Sequence, residues 1–148
     1  MLTSGKAAAG FTLIELVTVM AIAAILVAIA VSRISTTSFD TEGFANRAAA
    51  MVRYAQKIAI SQRRTVAVVI SGNTLSLCYT DTTCSGGSVH EPPGTNAFSY
   101  TAQSPISITA GTSFTFNPLG KPSAGQTITV TGDIARNIVI EAETGYVH

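Results

Sequence analysis

"GFTLIELVTVMAIAAILVAIAVS", Gly10–Ser32, is apolar almost throughout, and one carboxylate, Glu15, stands near its front. The run Phe11–Val31 is 21 residues, enough to cross a bilayer core as a helix rising about 1.5 Å per residue. A carboxylate in hydrocarbon costs about 2.5–3.5 kcal/mol even on lenient insertion scales. The stretch therefore predicts a membrane-length helix and requires a reason for Glu15. A secretory signal is one reading, since Ala28-Ile29-Ala30 offers an A-x-A cleavage pattern after the run. The run is long for such a signal, and neither that reading nor a plain anchor uses the carboxylate.

The chain has 148 residues, 47% hydrophobic and 11% charged, with a net charge of +1. That length suits one domain with a real core, and the small net charge creates no global field for nucleic acid or anionic lipid. The charges are nevertheless divided. Six basic residues between Arg33 and Arg64 face only Asp40 and Glu42, whereas from Thr65 onward Lys121 and Arg136 face five carboxylates. A basic front and an acidic rear would suit subunits that stack with an offset, and ordinary solvated surface charge accounts for them equally well.

Behind Arg33, Phe44, Ala48, Met51, Val52, Ala55, Ile58 and Ala59 recur at three- and four-residue spacing, the apolar stripe of an amphipathic helix. The expectation is one helix from Phe11 to Gln62, about 75–80 Å if unbroken, with Gly43 as the place for a bend. The remainder reads as strands: "TVAVVI" and "TLSLCY" joined by Ser71-Gly72-Asn73, then "AFSYT", "ISITA", "TSFTFN", "QTITVTG" and "NIVIEAETGYV". The fold class is thus α+β, with the amphipathic helix packed on an antiparallel sheet. Cys78 and Cys84, in "CYTDTTC", are not spaced as Cys-x-x-Cys and predict a short-loop disulfide, with free thiols as the alternative.

The leader end "G-FTLIE" followed by an apolar helix resembles the type IV prepilin signal shared by pilins and type II secretion pseudopilins. The resemblance implies cleavage between Gly10 and Phe11 by a prepilin peptidase, N-methylation of Phe11, and assembly through Glu15. It also divides the chain into a leader (1–10), a transmembrane and filament-core helix (11–32), and a periplasmic or extracellular head (33–148). The physical reason is direct. A new amino terminus carries an ammonium and the positive end of the helix dipole. Stacked subunits can pair that amine with Glu15 of a neighbour, and a register that leaves either charge buried and unpaired is penalised by several kcal/mol. Many type IV pilins have proline at the position of Ser32, where the helix kinks; this chain lacks it.

"AAAMVRYAQKIAISQRRTVAVVI" running into a hairpin, and the ending "ITVTGDIARNIVIEAETGYV", resemble the GspH/FimT group of minor pilins and pseudopilins. The resemblance implies a structural subunit of a type II secretion pseudopilus or type IV pilus, anchored in the bacterial inner membrane by one helix. Its partners would be other pilins, the prepilin peptidase and an inner-membrane assembly platform. An MSHA-type adhesive pilus and DNA uptake are alternatives within the group. DNA-binding relatives imply a basic Gly-Arg-x-Arg type motif, whereas "GDIAR" offers Gly132 and Arg136 but has Asp133 where a cation is wanted; Lys121 is the other candidate cation. His90 and His148 stand in no nucleophile-elbow, HExxH or phosphate-loop context. Glu141 and Glu143 are two apart on an expected strand and would share its solvent face. Asp81 and Glu91 are too scattered for a calcium loop. No enzyme activity, metal or cofactor is expected.

Overall fold

The structure is a computed structural model that describes residues 10–31 and 36–148. The leader before Gly10 and the Ser32 position lie outside the described residues. The chain separates into two compact units, residues 1–35 and 36–148. The first contains helix α1 (Leu13–Val31), and the second contains helix α2 (Thr36–Gln62) followed by seven strands. Whether the two helices are one rod therefore turns on residues not described. Helix α2 runs through Gly43 without interruption.

The head has two antiparallel sheets rather than one. Strands β1 (Val66–Ser71), β2 (Thr74–Tyr79), β3 (Ser99–Thr101) and β5 (Phe114–Phe116) form the first, in the order β3-β2-β1-β5. Strands β4 (Ser107–Ala110), β6 (Gln126–Thr131) and β7 (Ala135–Ile140) form the second, in the order β4-β6-β7. The β1–β2 hairpin turns on Gly72 and Asn73. Gly72 has φ 56°, the left-handed backbone that primed hairpin turns need at their first central residue.

Helix α2 packs on strands of both sheets. Its buried side is Phe44, Ala45, Ala48, Ala49, Met51, Val52, Ala55 and Ala59, and it meets Val66, Val68, Leu75, Leu77, Phe116, Ile128, Ile138 and Ile140 from the strands. Five of those eight helix residues are alanines, so the backbone can lie close to the sheets while Phe44, Met51 and Val52 fill the space between them. Full burial of each large side chain is worth about 1.5–3 kcal/mol. Gln56 adds a polar staple, since its Nε2 donates to the carbonyls of Gly120 and Thr144 at 2.9 Å each.

The last predicted strand is shorter than "NIVIEAETGYV". It stops at Ile140, and residues 141–145 turn so that Tyr146–His148 folds back beside β7. Glu141 and Glu143 therefore do not share a strand face: Glu141 Oε1 lies 3.2 Å from His148 Nε2, and Glu143 Oε2 lies 2.6 Å from Lys121 Nζ. The glycine of "AETGYV", which suits a turn rather than a strand interior, was the signal for this break.

Candidate assembly site

The candidate site is the start of α1. Thr12 is its amino-terminal cap: the Glu15 N–H donates to Thr12 Oγ1 at 3.3 Å, and the Leu16 N–H to the Thr12 carbonyl at 3.1 Å. Thr12 and Glu15 have the Thr-x-x-Glu spacing of a capping box. Glu15 thus sits in the first turn, where a carboxylate is favoured by the helix dipole. This local role was legible in "TLIE" and adds Thr12 to the residues that position Glu15. Thr18 turns its hydroxyl onto the Glu15 carbonyl at 2.9 Å, removing one polar group from the helix surface.

Beyond that first turn α1 is apolar on every face. The window Leu13–Ala30 has a mean hydropathy of 2.7 with none of it buried inside the molecule. Phe11 is 82% exposed and Leu13 81%. Such a surface needs lipid or the helices of other subunits around it.

The other predicted residues are dispersed. Cys78 and Cys84 form a disulfide, with Cα atoms 5.0 Å apart. Within its loop Asp81 accepts from the hydroxyls of Ser85 and Thr83 and from both backbone N–H groups. Those bonds, the Ser85 hydroxyl first, hold its carboxyl at about 2 against the usual 3.8. Its oxygens are therefore occupied by their own loop. Lys121 is paired to Glu143, and Arg136 Nε lies 2.5 Å from Glu42 Oε2. The Arg136 contact is an ion pair without an aligned hydrogen bond, because Glu42 Oε2 finds no hydrogen-bond partner among the described residues. Lys121 sits by the Gly120 loop held at Gln56, whereas Arg136 sits at Glu42. These α2 anchor points are about 21 Å apart along a helix rising 1.5 Å per residue, so the two cations do not converge on one phosphate-binding surface.

The model of the type II transport protein GspH matches residues 45–144, and the prokaryotic N-terminal methylation motif matches residues 5–31. The chain belongs to the GspH family. Two crystal forms of the type IV minor pilin FimU from Pseudomonas aeruginosa have a similar fold. One is 20% identical, with a TM-score of 0.53 over 76% of this chain and 87% of that one. The other is 21% identical, with a TM-score of 0.52 over 72% and 90%. No curated protein matches the sequence. The chain is accordingly a GspH/FimT-type pilin-like protein with the type IV pilin fold. It has the role of a pilin-type subunit, structural rather than enzymatic, that assembles with other pilins in a filament. The methylation motif and the apolar helix fit an inner-membrane-anchored pilin.

Proposed function

We propose that this GspH-family chain is a minor subunit of a type II secretion pseudopilus, made as a prepilin and recruited through Glu15. In this reading a prepilin peptidase cuts after Gly10 and N-methylates Phe11. Helix α1 then waits in the inner membrane with the head (33–148) in the periplasm, until an assembly platform moves it into the filament. The observation that carries the reading is the placement of Glu15: one carboxylate in the capped first turn of a helix that is otherwise apolar on all sides. The type II system is favoured by the family description, and the likeness to FimU supports a type IV pilus as the second reading.

The mature amino terminus tests the processing. N-methyl-Phe11 is expected by mass spectrometry of the membrane-extracted protein, and Val31 would mean a secreted protein cut after Ala30. Deleting the gene separates the systems. Loss of protein secretion with surface pili intact supports the pseudopilus, and the reverse pattern assigns the chain to a pilus. DNA uptake has no specific support, since both of its candidate cations are held in ion pairs.

A further inference from the structure

Among the described residues, two of the four sheet edges are paired by the chain's own backbone and a third is partly covered. Along β5, the Asn117 N–H donates to the Lys121 carbonyl at 2.9 Å and the Ser123 N–H to the Thr115 carbonyl at 2.8 Å. Along β7, Val139 and His148 exchange both backbone bonds, at 2.7 and 3.0 Å. At β4 the Ile108 N–H is taken by Asn73 Oδ1 at 3.2 Å. β3 differs. Its register, Leu75 opposite Tyr100, with the Leu77 N–H on the Phe98 carbonyl and the Ala102 N–H on the Asn73 carbonyl, turns the Tyr100 backbone toward β2. The backbone N–H and C=O groups of Ser99 and Thr101 therefore point away from the sheet. Both residues are exposed, and their outward groups have no protein partner among the described residues.

This edge runs beside a groove of about 590 Å³ between β3, the following loop and the first turns of α2. Phe39, 75% exposed, and Phe44 supply its apolar wall. Tyr100 is fixed between Phe44, stacked at 4.9 Å, and the Arg47 guanidinium 4.3 Å from its ring. Asp40 also lines the groove and has no ion pair among the described residues.

We propose that β3 is a strand-addition site for an extended segment of a different pilin subunit in the same filament, one carrying an apolar side chain for Phe39 and a lysine or arginine for Asp40. Backbone pairing to Ser99 and Thr101 would supply affinity, and the groove would supply specificity. A second copy of this chain would offer its own β3, and the test below separates it from a different subunit. The inference rests on filament assembly and not on which filament is built.

The test uses the full-length chain in purified filaments and in detergent. Amide exchange is followed by mass spectrometry on peptides that resolve Ser99 and Thr101. Both amides are expected to exchange about tenfold or more slowly in the filament. Equal rates in the two states would overturn the proposal, as would protection in detergent that grows with the protein's own concentration, which would mean self-pairing. Ser99→Pro removes an outward donor without breaking a bond to β2, whereas Ser99→Ala keeps it. Incorporation is expected to fall about fivefold or more for the proline variant alone, and equal incorporation of the two would count against strand addition. A chain absent from filaments altogether would sink the functional reading as well; a chain present with unprotected amides sinks only this inference.

Discussion

In the proposed reading Glu15 has a local and an intermolecular role without conflict. The cap at Thr12 fixes the first turn of α1 and so sets where the carboxylate stands, and the proposed assembly step would match its charge with a neighbour's amine. Glu15→Ala should leave membrane insertion and processing intact and lower filament incorporation about tenfold or more, since burying an unmatched charge costs several kcal/mol. Normal incorporation, read by immunoblot of sheared filaments, would refute the pairing. A second residue-scale test concerns Gly132, in the turn between β6 and β7. A Cβ there would lie 2.1 Å from Thr41 Oγ1, and Thr41 is fully buried with its hydroxyl on the Thr37 carbonyl at 2.7 Å. Gly132→Ala should therefore destabilise the head by about 1–3 kcal/mol. Adding Thr41→Ala should recover part of that loss, and thermal melts that show no recovery would reject this contact as the cause. The need for glycine at position 132 was invisible in "TVTGDIAR", because the clash comes from a helix residue ninety-one positions earlier in the chain.

At the scale of elements, the strands were legible in their alternation and β-branched residues, but their partition was not. β5 joins β1, with Val66 opposite Phe116, although β4 before it and β6 after it belong to the other sheet. Pairings of that kind are set by packing on α2 and carry no local signal. β7 hides its type in another way: Ala135, Arg136 and Asn137 are all exposed, so only its end shows a buried face. The disulfide loop between β2 and Ser88 gives a pH prediction. Asp81 has a folded value of about 2, below the usual 3.8. The folded form thus binds the proton less readily than the unfolded one, so the Asp81 contribution is complete above pH 3.8 and disappears as pH falls toward 2. Amide shifts of Thr83 and Ser85 in the folded protein should titrate together with a midpoint near pH 2. Asp81→Asn should abolish the step, and a step that persists in the variant would place its origin elsewhere.

The whole molecule divides into a helix with no buried surface and a head with its own core, a division already legible in composition because the apolar residues of Phe11–Val31 lack the polar face that α2 has. A fragment of residues 36–148 should melt within about 3 °C of the full-length chain in detergent, since a shift of that size corresponds to less than 1 kcal/mol in a domain of this length. A fragment melting 10 °C lower would show that α1 supports the head. The uniform apolar surface of α1 has one more consequence. Moving such a helix from lipid into a bundle of like helices exchanges one oily solvent for another, and the hydrophobic effect supplies no net drive for the transfer. A filament built on the proposed reading would hold its members by packing and by paired charges, and the bilayer would remain an acceptable home for each of them. Dissolution back into the membrane would then cost little more than those contacts, so the same subunit could be drawn out again.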